Sequence, residues 1–296
     1  MPAGTSKGAI RIGISGWTYA GWRGRFYPRG LPQGDELAYA GAQFRSIEVN
    51  GTFYRLQRSE TFARWRAETP DDFVFAIKGS RYITHVLRMR QAEAALANFF
   101  ASGILRLGPK LGPILWQFSP QTKFDPERFD AFLGLLPRHT EEAAAAARRH
   151  DRRLSGRSWL RSEAEQPIRH AVEIRHDSFR DPAFIALLRR HRAGLVVADT
   201  VAWPCLMDVT ADFVYCRLHG SKELYASGYG PKALDGWARR VRAWARGGEP
   251  ADAQRVAGRA ATRSGGRDVY VFFDNDAKVR APVDAASLAK RLGTTP

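Results

Sequence analysis

Short apolar runs alternate with segments of helical spacing along nearly the whole chain. Strands that alternate with helices are typical of a parallel sheet. Eight such units in 296 residues predict a (β/α)8 barrel of the TIM type. The runs that read as strands are Ala9–Ser15, Arg45–Asn50, Phe73–Lys78, Pro113–Phe118, His170–Arg175, Gly194–Asp199, Asp212–His219 and Asp268–Asp274. The segments that read as helices are Asp35–Ala42, Glu60–Glu68, Gln91–Leu105, Pro126–Leu136, Pro182–His191, Lys232–Arg246 and Asp284–Leu292.

A doubly wound open sheet is the main alternative to a barrel, and no GxGxxG stretch favours it. Asp125 and Asp181 each precede a proline, which is the pattern of an N-cap residue followed by a first-turn proline. We expect one barrel domain over residues 1–296. Two stretches rich in Ala and Arg are expected as insertions peripheral to function: 139–166, which predicts an added helix, and 247–267, which predicts a mobile loop.

The run Ala171–Ser178, which reads AVEIRHDS, shows how the two faces of the barrel divide. Successive residues of a strand point to opposite faces. Glu173 and Arg175 therefore share one face, while Val172 and Ile174 share the other. An apolar face toward outer helices and a charged inner face fit a closed parallel barrel whose interior ends in a polar site.

The spacing along this strand also predicts the ion pairs of its charged residues. Glu173 and Arg175 are separated by roughly 6.5–7 Å of strand, which is too far for an ideal pair. Each is therefore expected to find a partner elsewhere. We expect Glu173 to pair with Arg217, and Arg175 to pair with Asp199 or with a bound anion.

The same alternation predicts a polar residue on the inner face at the end of every strand. These residues are Ser15, Asn50, Lys78, Gln117, Arg175, Asp199, His219 and Asp274. In TIM barrels the carboxyl ends of the strands carry the active site. The alternative is a structural network of ion pairs that closes the core, because buried charges must be paired whatever their role.

The mixture of charges among the inner residues bears on metal binding. Glu48, Glu173, Asp199 and Asp274 are negative, whereas Lys78, Arg175 and Arg217 are positive. A site for two metal ions collects carboxylates and histidines with few cations. The sequence therefore predicts no bound cofactor. A single divalent ion on Glu48, Glu173, His176 or His219 is the alternative, although no HExxH or CxxC spacing strengthens it.

Aromatic residues crowd the loop after the first strand, which reads GWTYAGWRGRFYP. They are Trp17, Tyr19, Trp22, Phe26 and Tyr27. Rings in this position would stack on sugars or bases, or they would fold over and plug the end of the barrel. Both interpretations stay open at this point.

The chain is strongly basic, with a net charge of +16 and 46 Lys and Arg residues. The eight segments that follow the strands hold 16 Lys and Arg against 6 Asp and Glu. An anionic small molecule is therefore the expected partner, with nucleic acid as a second candidate. The alternative is that arginine coats the outer helices, because net charge informs about association and not about fold.

Targeting features and cysteines set the expected compartment. No apolar run approaches the ~18–20 residues of a membrane span, and Met1–Gly8 lacks the apolar core of a secretory signal. Cys205 and Cys216 are the two cysteines, too few for a disulfide framework. We expect a cytoplasmic protein with two free thiols and no membrane partner.

Seven stretches of the chain together resemble the YecE-like family, the domain of unknown function numbered 72. They read GISGWTYAGWRGRFYPRGLP, SIEVNGTFYRL, FAIKGSRYITHVLRM, LGPILWQF, VEIRHDSF, YCRLHG, and VYVFFDND followed by AP. The match runs in order from about Ile12 to Leu292, and the chain departs mildly from the family at Gly51 and in its Arg-rich insertions. The resemblance implies a (β/α)8 barrel and supplies no activity, because the family is named for lacking one.

The resemblance also carries over a set of motif positions. They are Trp17, Glu48, Asn50, Tyr54, Lys78, His85, Gln117, Glu173, Arg175, His176, Arg217, His219, Asp274 and Asn275. At the superfamily level the barrel resembles the metal-dependent nucleases and sugar isomerases of the endonuclease IV and xylose isomerase type. That is an analogy of fold, and one fold hosts many unrelated functions.

Three functional hypotheses follow from these residues. The first is an enzyme acting on a phosphorylated or otherwise anionic small molecule, a hydrolase, lyase or isomerase. The second is nucleic-acid binding or metal-dependent phosphodiester processing, and the third is a binding module without catalysis. The candidate catalytic residues are Glu48, Lys78, Glu173, His176, His219 and Asp274. The candidate ligand-binding residues are Trp17, Tyr19, Trp22, Asn50, Tyr54, His85, Gln117, Arg175, Asp199, Arg217 and Asn275.

The enzyme hypothesis assigns a chemical role to each kind of side chain. Arg175, Arg217 and Lys78 would bind the anion. Glu48 or Glu173 would act as general base, and His176 or His219 would relay protons. In a subordinate version, Lys78 is a nucleophile that forms a Schiff base.

Overall fold

The structure is a computed structural model that describes residues 7–220 and 223–295. Its eight strands form one closed parallel barrel, in which each strand pairs with the next along the chain and the last pairs with the first. The strands are β1 (Ile10–Ser15), β2 (Ser46–Val49), β3 (Val74–Lys78), β4 (Leu111–Gln117), β5 (His170–Glu173), β6 (Gly194–Asp199), β7 (Phe213–Leu218) and β8 (Asp268–Phe273). The predicted (β/α)8 barrel is confirmed, and the open doubly wound sheet is excluded.

Helices connect the strands across the outside of the barrel. Those within the described residues are α1 (Glu36–Gln43), α2 (Gly51–Tyr54), α3 (Ser59–Ala67), α4 (Glu93–Ala101), α5 (Pro126–Gly134), α6 (Thr140–Ala147), α7 (Pro182–Arg190), α8 (Pro231–Ala245) and α9 (Arg280–Leu292). Asp125 and Asp181 cap α5 and α7 as predicted, because their side chains accept the backbone N–H groups of Arg128 and Ala183.

Alternation along the strands produces two separate apolar layers. The layer inside the barrel contains Val74, Ala76, Leu115, Ala171, Val196, Ala198, Phe213, Tyr215, Tyr270 and Phe272. The layer between strands and helices contains Ile12, Ile14, Ile47, Val49, Ile77, Trp116, Val172, Leu195, Val197, Val214, Cys216 and Leu218. The inner layer leaves the carboxyl end of the barrel to polar side chains, as the sequence pattern predicts.

Asp199 is the exception to the predicted inner phase, and that expectation is wrong. Leu195 and Val197, which share its phase on β6, pack in the outer layer. The indole Nε1 of Trp237 on α8 donates a hydrogen bond to Asp199 Oδ2 at 3.1 Å. Asp199 therefore stabilises the contact between β6 and an outer helix, and it does not face Arg175.

The predicted helix over Gln91–Leu105 is interrupted. Helix α4 ends at Ala101, and a short 3-10 helix follows over Ile104–Lys110. Gly103 lies between them with a φ of 112°, a left-handed conformation that favours glycine. A Cβ atom at Gly103 would lie 2.5 Å from the Cα of Ser59, so the close approach of α3 also requires glycine there.

The two predicted insertions differ in structure. The stretch 139–166 contains helix α6, as its composition predicts. Residues 247–267 have no helix or strand. Hydrogen bonds nevertheless hold this loop in place, since Asp208 accepts the backbone N–H groups of Val256 and Ala257 at 3.0 Å and Arg267 donates to the carbonyl of Ala261 at 2.7 Å.

Both cysteines are free thiols in the structure. Cys216 is buried in the outer layer between Val214 and Leu218, on the side that alternation predicts. Cys205 lies in the loop after β6. Within residues 7–220 and 223–295, no helix is both long enough and apolar enough to cross a membrane.

Candidate functional site at the carboxyl end of the barrel

Arg217 on β7 lies at the centre of the carboxyl end of the barrel, and its side chain is 1% exposed. Its Nε and Nη2 donate to both oxygens of Glu48 on β2 at 2.8–3.2 Å. Its Nη1 donates to Glu173 Oε2 on β5 at 2.6 Å, and Nη2 also reaches Asp274 Oδ2 at 2.8 Å. The structure thus brings together Arg217, Glu48, Glu173 and Asp274, which we call the Arg217 cluster, and confirms the predicted pair of Glu173 with Arg217.

In the Arg217 cluster, the neighbouring charges affect the pKa values of the carboxyl groups more than burial does. Burial raises the pKa of Glu173, but the charges of Arg217 and then Arg175 hold that pKa well below its usual range. Burial likewise raises the pKa of Asp274, and the charge of Arg217 leads the contributions that bring it below its usual value. Both carboxyl groups are therefore ionised at neutral pH.

Arg175 folds back onto Glu173, so the expectation that these two residues are too far apart to pair is wrong. The Nε and Nη2 atoms of Arg175 lie 2.8 Å from Glu173 Oε1. Because β5 ends at Glu173, the regular strand spacing does not continue to Arg175, whose long side chain bends back. Its guanidinium also lies 4.0 Å from the centroid of the Trp203 ring, and its Nη2 donates to the Tyr225 hydroxyl at 3.4 Å.

Lys78, at the end of β3, is an amine without a hydrogen bond or ion pair among the described residues, and only 8% of the residue is exposed. Its Nζ lies 4.4 Å from the centroid of the Phe53 ring. Burial lowers the pKa of Lys78 to about 8, and the charge of Arg217 acts in the same direction. The Lys78 amine therefore loses its proton at a pH closer to neutrality than an ordinary lysine does.

Two amide side chains with free acceptor atoms flank the strand that carries Lys78. Asn50 directly follows β2, and Gln117 ends β4, the two neighbours of β3 in the barrel. Asn50 Oδ1 and Gln117 Oε1 are buried and have no hydrogen-bond partner among the described residues. Buried acceptors normally find a donor, so these two atoms mark positions where a ligand would donate.

His85 lies beside Lys78 on a π-helical turn over Tyr82–Val86. Such turns often occur at functional sites. The Nδ1 atom of His85 lies 2.8 Å from Thr84 Oγ1, and its ring meets Phe53 edge-on at 5.1 Å. Burial, and after it the charge of Lys78, lowers the pKa of His85 to about 4. The imidazole is therefore neutral at pH 7.

His219 joins the edge of the Arg217 cluster and is fully buried. Its Nδ1 lies 3.1 Å from Asp274 Oδ2, but neither ring nitrogen makes a hydrogen bond among the described residues. The rings of Trp203 and Tyr225 pack against it with centroids 5.3 and 5.4 Å away. Ring packing therefore holds this histidine in place and leaves both of its nitrogens without a hydrogen bond.

His176 and Asn275 make local structural contacts instead of joining the cluster. His176 Nδ1 accepts the backbone N–H of Ser178 at 3.0 Å and so caps a short turn. The amide nitrogen of Asn275 donates to Asp284 Oδ2 on α9 at 2.8 Å. Among the described residues, neither side chain makes a hydrogen bond or an ion pair with Lys78 or Arg217.

The aromatic residues of the first loop differ in burial, and burial bears on the two predicted roles. Trp22 and Tyr27 are each 1% exposed, and the Tyr27 hydroxyl donates to the carbonyl of Trp17 at 2.6 Å. These two rings form a plug. Trp17 packs edge-on against Trp65 with centroids 5.1 Å apart and remains partly exposed.

Tyr19 and Tyr54 lie in very different environments. The Tyr19 hydroxyl donates to the carbonyl of Ser15 at the end of β1 at 2.6 Å. Burial raises the pKa of Tyr19 above its usual value, and the charge of Asp274 adds to that effect. Tyr54 is 68% exposed at the rim, so its ring is accessible to a ligand.

Four residues that contact the site were not predicted as site residues: Phe53, Trp203, Tyr215 and Tyr225. Tyr215 faces inward on β7 and donates its hydroxyl to Glu48 Oε2 at 2.6 Å. Because Tyr215 shares the inward-facing side of β7 with Arg217, the alternation pattern could have identified it from the sequence. Phe53, Trp203 and Tyr225 lie in segments that follow strands, where aromatic residues are candidates for packing against a ligand.

The same residues are poorly arranged to bind a metal ion. No group of three or more His, Cys, Asp or Glu side chains is arranged to hold a metal ion among the described residues. Both oxygens of Glu48 and both oxygens of Glu173 already accept hydrogen bonds from arginine. A single divalent ion on these carboxylates would have to compete with the guanidinium groups.

Comparisons with known proteins place the chain in a family. The UPF0759 protein YecE of Escherichia coli K12 is 31% identical over 131 residues, which cover 43% of this chain and 44% of YecE. The UPF0759 protein YunF of Bacillus subtilis is 28% identical over 116 residues, covering 38% of this chain and 40% of YunF. The chain thus matches less than half the length of these curated relatives.

The fold is shared with solved structures over almost the full length. A DUF72 family protein from Thermotoga maritima superposes with a TM-score of 0.71 at 25% identity, covering 96% of this chain and 99% of that protein. A DUF72 family protein from Enterococcus faecalis, 17% identical, has the same fold, with a TM-score of 0.66 over 96% of this chain and 95% of that protein. The family model described as a protein of unknown function, DUF72, matches residues 11–296. Together with the barrel, this match shows that the chain belongs to the DUF72 family.

Proposed function

We propose that this protein is an enzyme that binds a small anionic carbonyl compound at the carboxyl end of the barrel and reacts with it through Lys78. The observation that carries the proposal is the Lys78 amine, which is 8% exposed and has no hydrogen bond or ion pair among the described residues. A structural lysine buried to this degree normally has a partner. An amine kept unpaired and close to deprotonation is typical of nucleophilic lysines.

The carboxylates are less suited to act as general bases than Lys78. Both oxygens of Glu48 accept hydrogen bonds from Arg217, and Glu173 is shared between Arg217 and Arg175. The pKa of Glu173 lies well below its usual range, because the arginine charges outweigh burial. A general base works best with a pKa near the operating pH. With a pKa of about 8, about a tenth of the Lys78 amine is neutral at pH 7.

The reaction that this amine supports is Schiff-base formation. The Nζ lone pair of Lys78 attacks the carbonyl carbon and forms a carbinolamine. The C–O bond then breaks, the oxygen leaves as water with both protons of the amine, and a C=N bond remains. His85, neutral at pH 7 because burial and the Lys78 charge lower its pKa to about 4, is the neighbouring group that would shuttle a proton between nitrogen and oxygen.

The anionic group of the substrate would contact Arg175. The Nε and Nη2 atoms of this guanidinium face Glu173. Its Nη1 atom makes no hydrogen bond or ion pair among the described residues and is available to a ligand. Stacking on Trp203 at 4.0 Å holds the guanidinium plane in position. The free acceptor atoms of Asn50 and Gln117 would receive hydroxyl or amide protons of the same ligand. A cytoplasmic location, consistent with two free thiols, belongs to the same proposal.

Reductive trapping tests the proposal with glyoxylate, a small anionic aldehyde, as the probe. The protein is incubated with glyoxylate and sodium cyanoborohydride at pH 7, and the modified lysine is located by peptide mass spectrometry. We expect Lys78 to be labelled first. When the labelling is repeated at several pH values, its rate at Lys78 should rise with pH, with a midpoint near the pKa of about 8. Reaction should be slower at surface lysines, because a lysine amine in water is almost fully protonated at pH 7.

Lys110 is the matched control, because it is also buried, at 6% exposed. Its amine donates to the carbonyls of Arg66 and Thr69 at 2.7 Å, so we expect little labelling there. Lys78→Met should abolish the fast labelling and leave the slow labelling unchanged. Labelling of Lys78 no faster than that of surface lysines would contradict the proposal and favour a binding site without covalent chemistry.

A further inference from the structure

A cavity of about 1040 Å³ opens at the amino end of the barrel, on the side opposite the Arg217 cluster. The first residues of several strands contribute to its floor, among them Leu111 of β4 and His170 of β5. In the described part of the chain its lining includes one carboxylate, Asp212, and six arginines: Arg11, Arg138, Arg169, Arg190, Arg192 and Arg263. The Schiff-base chemistry proposed above uses none of them.

Two of these arginines are neutralised by carboxylates. Arg169 pairs with Asp268 at 2.6 Å and with Asp212 at 3.2 Å. Arg190 pairs with Asp130 at 2.7 Å. These pairs hold the wall of the cavity together and leave little charge to attract a ligand.

The other four arginines have no carboxylate within ion-pair distance in residues 7–220 and 223–295. Arg11 and Arg138 are half-buried, which places them within the cavity wall, while Arg192 and Arg263 are exposed at its rim. They come from β1, from the segment after α5, from the segment after α7, and from the loop before β8. Four positive charges without an ion pair line one concave space, which favours a multiply charged anion there. The guanidinium of Arg138 is held in the wall by His191, to whose carbonyl its Nη1 donates.

The chemistry of the lining favours phosphate groups on a compact molecule. Guanidinium groups bind phosphate oxygens through two parallel hydrogen bonds, so several arginines suit several linked phosphates. The volume is in the range of small-molecule sites. Single-stranded nucleic acid is usually bound on exposed aromatic rings, whereas Tyr270, which contributes a ring to this lining, is 5% exposed.

We infer that the amino end of the barrel carries a second site, which binds a small polyphosphate anion between Arg11, Arg138, Arg192 and Arg263. This site gives a role to the loop 247–267, which supplies Arg263 and which the sequence predicts to be peripheral. It is separated from the carboxyl end by the apolar layer inside the barrel. Its occupation therefore does not depend on the chemistry of Lys78.

Isothermal titration calorimetry with inorganic tripolyphosphate tests this site directly. The titration is run on the full chain, the double variant Arg192→Gln/Arg263→Gln, and the control Arg29→Gln/Arg90→Gln. The control removes the same charge from exposed residues that follow β1 and β3, at the opposite end. We expect about tenfold weaker binding for each cavity arginine removed, and nearly unchanged binding for the control.

Two results would overturn the inference. Equal weakening by the control would show that tripolyphosphate responds to the net charge of the protein and not to this cavity. Tighter binding of a 12-nucleotide single strand than of tripolyphosphate, also lost in Arg192→Gln/Arg263→Gln, would assign the cavity to nucleic acid.

A measurement on the unaltered protein covers the case in which the double variant does not fold. Arginines are modified with phenylglyoxal, with and without tripolyphosphate, and the sites are read by mass spectrometry. We expect tripolyphosphate to protect Arg192 and Arg263 and to leave Arg29 and Arg90 unprotected. Equal protection at all four positions would contradict the inference.

Discussion

Replacing Arg217 with methionine would remove the cation shared by three carboxylates of the barrel. In the native protein its guanidinium donates to Glu48, Glu173 and Asp274 at 2.6–3.2 Å. Methionine has a similar length and carries no charge. Glu173 would keep Arg175, whereas Glu48, which is fully buried, would keep only neutral donors such as Tyr215.

The expected loss of stability follows from the burial of these groups. Removing one partner of a buried ion pair costs about 3–5 kcal/mol, because an uncompensated charge remains. An unfolding entropy of about 2.1 cal/mol/K per residue converts this cost into a fall in melting temperature of about 5–8 °C for a chain of 296 residues. Ordinary surface substitutions change stability by about 0.5 kcal/mol or less, so the effect is readily measured.

The stability that Arg217→Met lacks relative to the native protein should become smaller as the pH falls. Folding lowers the pKa of Glu173 and Asp274, since the Arg217 charge outweighs burial. Their contribution is therefore present above the unfolded pKa of about 4 and is lost as the pH falls through the folded value. In Arg217→Met the same carboxyl groups bind protons more readily when buried. The difference in free energy of unfolding between the two proteins should thus shrink from pH 7.5 toward pH 4.

Urea unfolding at several pH values measures this difference without adding salt. Arg291→Met is the matched control, because Arg291 pairs with Asp235 at 2.7 Å and the Asp235 side chain is 55% exposed. Such a surface pair contributes about 0–1 kcal/mol. A deficit below about 1 kcal/mol in Arg217→Met, or one that stays constant with pH, would refute the view that the cluster consists of ionised carboxylates around one cation.

Two further predictions concern residues near this cluster and in the outer layer. Arg175→Ala should cost less stability than Arg217→Met, about 1–2 kcal/mol, because Glu173 keeps Arg217; on the Arg192→Gln/Arg263→Gln background, which removes two arginines of the amino-end cavity, it should also abolish any remaining rise in melting temperature caused by phosphate. A large fall in melting temperature with the phosphate effect retained would show that Arg175 is only a structural partner. A thiol titration of the denatured protein without reductant should find two free thiols, from Cys205 and Cys216, and a count of zero would contradict this.

The barrel and most of its polar end follow from strand alternation alone. Glu48, Glu173 and Arg217 point inward because the apolar residues between them are needed outside, against the helices. Asp199 instead points outward. A polar residue at the end of a strand needs only a nearby hydrogen-bond donor, and Trp237 on an outer helix supplies one. Alternation cannot tell these two situations apart on β6, because both faces of this strand are apolar: Leu195 and Val197 pack outside, and Val196 and Ala198 pack inside.

Features that depend on the path of loops were beyond prediction from the sequence. Arg175 bends back to Glu173 because β5 ends earlier than its apolar run suggests. Trp203 packs on Arg175 from a loop whose sequence has no hydrophobic periodicity, so no pattern predicts this contact. The arginine-lined cavity at the amino end draws on positions as distant as Arg11 and Arg263, and no local pattern connects them.

The long sequence separations within the Arg217 cluster have a consequence for folding. Arg217 bonds to Glu48 across 169 positions, and Tyr215 bonds to the same carboxylate across 167. Contacts of this separation form late, because the closure of long loops must come first. The burial that lowers the pKa of Lys78 to about 8 therefore arises only once β7 and β8 have closed the barrel. Under the Schiff-base proposal, a partly folded chain, in which Lys78 is not yet buried, should therefore react with aldehydes at this position more slowly than the folded protein does.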